Sequence, residues 1–209
     1  MIAAGRNNSL MISTNTSLKG LFILLSLICF SSFGQQREQP ELIKEIDSLY
    51  REIYKFNYYD TLSYDTAFLS FERKINDLIA EGQQSDHKGA VYKAKNVLFI
   101  HLKYKEGEEY DLETRQLLDE TIDYAREKGD TLAHAQFTYL LGNFLSSLDR
   151  YDSSLVYFEK ALVIAESIGN KSAEAASINA LAVTYANIGR DDLAVEYYRK
   201  SLDVARLSK

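Results

Sequence analysis

A fixed internal offset constrains this chain more than any other feature. Ala125, Ala165 and Ala205 stand 40 residues apart, and so do Gly129 and Gly169. Leu118, Phe158 and Tyr198 align at the same offset, as do Ile122, Leu162 and Leu202. Thr121, Ala161 and Ser201 form a column of small residues. In the last two copies Leu141 matches Leu181, Gly142 matches Ala182, Leu145 matches Tyr185 and Ser154 matches Ala194. A unit of this length cannot bury a hydrophobic face alone, so its copies must stack on one another.

Each copy reads as two helices. In the third copy Phe137, Leu141, Phe144, Leu145 and Leu148 recur at helical spacing, and residues 149–152 break the run. Leu155, Phe158, Leu162 and Ala165 then define a second amphipathic stretch. Gly169 stands where a helix C-terminus takes a left-handed residue, and Asn170 can cap the next helix. The fourth copy repeats this with Leu181, Tyr185 and Ile188, then Leu193, Tyr197, Tyr198 and Leu202. Residues 87–105 and 111–128 form an earlier pair. The offset of 40 puts His101 and Leu102 in the places of Leu141 and Gly142, a departure that leaves the register of the 87–105 helix open. Residues 41–58 and 62–81, ending at Gly82, form a first pair with Phe71 and Ile75 but no clear small-residue column. It is either a degenerate repeat or a capping hairpin. The expected fold is all-α: an α-solenoid, or superhelix, of about four stacked antiparallel helix pairs. One proline and ten glycines argue against a turn-dense β-sandwich.

The columns resemble the tetratricopeptide repeat. Leu141-Gly142-x-x-Leu145 and Leu181-Ala182-x-x-Tyr185 fill the first-helix motif of that family. Ser154-x-x-x-Phe158-x-x-Ala161 and Ala194-x-x-x-Tyr198-x-x-Ser201 fill the second. Small residues let two helices approach, and large ones fill the space beside them. The period of 40 exceeds the common 34 and is similar to the long variant of kinesin light chain and several bacterial regulators. Residues 178–182 are similar to the Leu-Asn-Asn-Leu-Ala run of those long repeats. HEAT and armadillo repeats share the length, but the Leu-Gly and Ala-x-x-x-Phe pattern favours the tetratricopeptide reading. The resemblance implies that the first helix of each pair lines a concave groove that takes a protein or peptide partner. The implied groove positions are Gln136, Tyr139, Asn143 and Ser147 in the third copy, and Asn179, Val183, Ala186 and Asn187 in the fourth. Their amides can hydrogen-bond an extended backbone. Asn143 matches an asparagine of the carboxylate-clamp subtype, but the partnering lysines are missing, which argues against that subtype.

The N-terminus reads as an address. Residues 1–34 carry two bases, Arg6 and Lys19, and no acid. The apolar run at 21–30 is too short for a stable span, which needs about 20 residues. Small residues precede a cut after Gly34, as in a secretory signal peptide, and Met11 is a plausible start. Ile28 before Cys29 does not fit a lipobox. The expected organisation is a signal peptide over 1–34, an N-terminal helix pair over 35–86 and a repeat array over 87–209, in a periplasmic or extracellular bacterial protein. Cleavage removes two bases and no acid, taking the net charge from −6 to −8. An acidic domain repels phosphate, so nucleic acid is not an expected partner. Membrane contact is expected only through the signal peptide or a segment beyond Lys209.

No catalytic, metal or cofactor constellation is legible. His87, His101 and His134 make no His-x-x-x-His pair, and no Gly-x-Ser-x-Gly or phosphate-loop motif occurs. The acidic cluster at 106–111 lacks calcium-loop spacing and reads as an inter-helix turn leading to an Asp111 N-cap. Tyr50, Tyr54 and Tyr58 form a stripe that reads as packing against the next helix. Tyr197, Leu202 and their neighbours close the last repeat without a polar cap. Two functions follow as expectations: an exported, non-enzymatic protein-interaction module, or the periplasmic sensor segment of a longer histidine kinase or transcriptional regulator.

Overall fold

The computed structural model describes residues 40–53, 61–103 and 108–208. All of them lie in one compact unit, Glu38–Lys209. The expected signal peptide with Cys29, Tyr54 and Tyr58 of the tyrosine stripe, Glu106 and Gly107 of the acidic cluster, and Lys209 lie outside the described residues.

Among the described residues every regular element is a helix. The order is α1 (Pro40–Ile53), α2 (Thr61–Gln84), α3 (Lys88–Lys103), α4 (Glu108–Glu127), α5 (Thr131–Ser147), α6 (Tyr151–Ser167), α7 (Lys171–Asn187) and α8 (Asp191–Arg206). Each helix packs on the next, which is the all-α solenoid expected from the repeat. Helix α1 also lies on α3, and α5 on α7.

One turn chemistry recurs at the helix ends. Asp86, Gly129, Asp149, Gly169 and Gly189 all have positive φ, from 54° to 74°. The residue after each donates its N–H back to the last helical turn: His87 to the Gly82 carbonyl at 2.8 Å, Asp130 to Ala125 at 2.9 Å, Arg150 to Leu145 at 3.0 Å, Asn170 to Ala165 at 3.0 Å and Arg190 to Tyr185 at 2.9 Å. This is the Schellman arrangement, in which a left-handed residue turns the chain and satisfies carbonyls that a helix end leaves free. The next helix then starts at once. Asp130 and Asn170 cap α5 and α7, their side-chain oxygens accepting from the Ala133 and Ala173 N–H groups at 3.0 Å. Repeating one turn repeats one inter-helix geometry, and so builds an array.

Two helix boundaries differ from the sequence reading. The second helix of the first pair runs past Gly82 to Gln84, and the left-handed residue is Asp86. Helix α4 starts at Glu108, so Asp111 lies inside its first turn and does not cap it. The register of α3 also resolves. Asp86 and Lys88 correspond to Gly129 and Thr131, an offset of 43 residues. At that offset Ala90, Ala94, Leu98 and Leu102 take the buried places of Ala133, Phe137, Leu141 and Leu145. Leu98 and Phe99, not His101 and Leu102, therefore match Leu141 and Gly142. The difference lies in α4, which has 20 residues where α6 has 17. A slip of three residues is nearly one helical turn, so it preserves the hydrophobic face and is invisible to periodicity.

Candidate peptide-binding face

The small-residue column does what its size predicts. Gly142 of α5 faces Phe158 of α6 so closely that an added Cβ would lie 2.7 Å from the ring. Leu141 is fully buried, as are Ala161, Leu181 and Ala182. Phe158 forms a core cluster with Ala180 and Leu181 of α7, with Tyr139, Leu155, Leu162, Tyr185 and Tyr197 packed against it. Ser201 sits in the small column of α8, and its hydroxyl donates to the Ala175 carbonyl of α7 at 2.9 Å. Tyr198 holds the position of Phe158 but keeps 37% of its surface exposed, where Phe158 keeps 1%.

This packing fixes which side of α5 and α7 remains open. The two first helices approach each other more closely than the second helices α6 and α8 do. The residues expected to bind lie along α5 and α7 as follows. Gln136 and Asn143 are half-buried, and Ser147 is exposed with its hydroxyl donating to the Phe144 carbonyl at 2.7 Å. Asn179, Ala186 and Asn187 are exposed, and Val183 is half-buried. Tyr139 is half-buried too, and its ring is committed to the core: it lies 5.5 Å from the ring of Phe158. None of these eight side chains is ionisable below the tyrosine range.

The corrected register adds the matching positions of α3, which the sequence reading missed: Lys93, Asn96 and Ile100. Asn96 and Ile100 are buried, and Lys93 pairs with Asp47 of α1 at 2.7 Å. The sequence does carry a signal for this register, the column Ala90, Ala133 and Ala173, which is spaced by 43 and then 40.

Burial tunes titratable groups of α3 and α5. Lys95 of α3 is buried with Glu120 at 3.8 Å, and loss of hydration pulls its ammonium below the usual lysine range while Glu120 opposes. Burial pushes the Tyr92 hydroxyl up, with the Asp130 carboxylate adding to it. His134 is held below the ordinary histidine range by burial, and then by Arg126. His101 is buried with its ring 4.5 Å from Phe71 and its Nε2 4.0 Å from Glu72. Among the described residues no group of three His, Cys, Asp or Glu side chains is placed to hold a metal ion, and no helix is long and apolar enough to cross a membrane.

Stacked helix pairs, a buried small-residue column and a polar open side on the first helices define a helical-repeat scaffold. Residues 133–206 match the family model for the tetratricopeptide repeat. Such repeats generally mediate protein–protein interaction and are typically non-enzymatic. No curated protein matches the chain.

Proposed function

We propose that this chain is an exported, non-enzymatic interaction module that holds an extended peptide segment of a partner along α5 and α7. The supporting observation is the uncharged polar row Gln136, Asn143, Ser147, Asn179 and Asn187, on the open side of two first helices in a chain where charged residues make up 26%. Amides offer paired donors and acceptors that match a peptide backbone and read side chains only weakly. Without charge on the row, binding gains little from long-range attraction, so affinity should change little as salt rises about tenfold.

The test is affinity capture from an envelope fraction with the wild-type protein and with Asn143→Ala/Asn179→Ala. Loss of the captured partner from the variant, with an unchanged melting temperature, supports the reading. Equal capture by both, or capture abolished by moderate salt, contradicts it. Export is tested by the N-terminal sequence of the protein recovered outside the cytoplasm, which should begin near Gln35.

A further inference from the structure

The outer side of α6 carries a stripe unlike those of its neighbours. Helix α6 packs on α5 and α7 with its other side, where Ser154, Phe158, Ala161 and Ala165 are buried. On the outer side Asp152, Val156, Glu159, Val163 and Glu166 follow at spacings of four, three, four and three residues, and all five are exposed. Val156 keeps 47% of its surface in water and Val163 62%. Such spacing lines side chains into one seam along a helix, as in coiled coils. Lys160 borders the seam, but its ammonium lies over the Tyr157 ring, 4.8 Å from the centroid.

The second helices of the neighbouring pairs show that the fold does not require valine here. At the same positions α4 has Leu112, Gln116, Asp119, Asp123 and Arg126, and α8 has Asp192, Glu196, Arg199, Asp203 and Arg206. Those stripes pair their own charges: Arg126 with Asp123, and Arg206 with Asp203 at 3.3 Å. The α6 stripe holds three acids and no base, and alternates them with apolar side chains. Valine is a weaker helix former than glutamine or glutamate, and here it also leaves apolar surface in water.

We propose that the α6 stripe docks a basic helix of a partner protein, with lysine or arginine opposite Asp152, Glu159 and Glu166 and aliphatic side chains against Val156 and Val163. Charge complementarity selects this occupant. Three carboxylates without a base among them repel an acidic surface, and a second copy of this chain carries a net charge of −6. A helix with the same alternation keeps step with the stripe, since seven residues advance about 10.5 Å on both.

The experiment uses the full chain and two hydrocarbon-stapled, alanine-based helices. One alternates lysine and leucine at the spacing of the stripe, and the other has the same composition with the spacing scrambled. The first should bind, slow amide exchange in α6, and weaken about tenfold between about 50 mM and about 500 mM salt. Val156→Gln/Val163→Gln should weaken it at least about tenfold with the melting temperature kept, because Gln116 already fills one of these positions in α4. Glu159→Gln/Glu166→Gln should weaken it similarly and remove most of the salt dependence. Asn143→Ala/Asn179→Ala should leave this binding unchanged, so that the two surfaces stand or fall separately. Absence of binding by the first helix overturns the proposal, as does equal binding by the scrambled helix. Undiminished binding to the glutamine variant at either pair, valines or glutamates, also overturns it. Self-association of the chain abolished by Val156→Gln/Val163→Gln would overturn it in favour of a second copy.

Discussion

At the scale of single residues, the stability of this array is a matter of volume and of polar satisfaction. The contact between Gly142 and Phe158 leaves no room for a methyl group. Gly142→Ala should destabilise the protein by about 1–3 kcal/mol in urea unfolding, through overpacking. The equivalent pair in α3 and α4 is Phe99 and Leu118, with the larger residue on the first helix. Phe158→Leu should therefore relieve part of the Gly142→Ala penalty, so that the double variant costs less than the two single costs added. Additive costs would show that the two positions do not share one space. Ser154 has a buried hydroxyl with no hydrogen-bond partner, and Ala194 stands in its place in the next copy. Ser154→Ala should be neutral or stabilising, by up to about 1 kcal/mol, because it removes an unsatisfied polar atom. Tyr92 also buries an unpartnered hydroxyl. Its ionisation is pushed up in the fold, so the stability tied to the neutral hydroxyl is full below the unfolded tyrosine value of 10.0 and is lost as the pH rises beyond it. Tyr92→Phe should flatten the alkaline arm of the stability profile, and an unchanged slope would remove Tyr92 as its source.

At the scale of elements, the turns and the register of the helices decide the geometry. Gly169 turns between α6 and α7 at φ +66°, with open space around it. Gly169→Ala should cost about 1–2 kcal/mol from backbone strain alone. Asp149 adopts the same conformation at φ +57°, so Asp149→Gly should raise the melting temperature. The turns are legible in the sequence where glycine fills them, as at Gly169, and not where aspartate does, as at Asp86. Asparagine and aspartate tolerate the left-handed region but do not announce it. The sequence leaves the register of α3 open because the second helices keep the spacing of 40 while the extra residues in α4 shift α3 by almost a full turn. Lys95 falls on the core side of α3 in the corrected register, where Thr138 and Ile178 stand in later copies. It is buried with the Glu120 carboxylate 3.8 Å away. Lys95→Met should be neutral or stabilising, by as much as about 1–4 kcal/mol, as when a buried ion pair gives way to apolar packing. A clear loss of stability would show that the ammonium has stronger partners than Glu120.

At the scale of the whole array, stability follows from each pair and its neighbours. Helix α7 is covered on both sides, by α6 and α8, whereas α8 keeps Val195, Tyr198 and Leu202 exposed. Amides of α8 should therefore exchange faster than those of α6 and α7, and slower exchange in α8 would contradict this order. The helical class, the pairing of helices and the small residues at Gly142, Ala161 and Ala182 are legible in the string of residues, because size and period are local properties. Packing between helices sets the seat of α3, the burial of Asn96 and Ile100, the commitment of the Tyr139 ring to Phe158, and the open side of α8. Each of those depends on which surface of one helix another helix happens to cover, and burial between distant segments leaves no periodic trace in the chain.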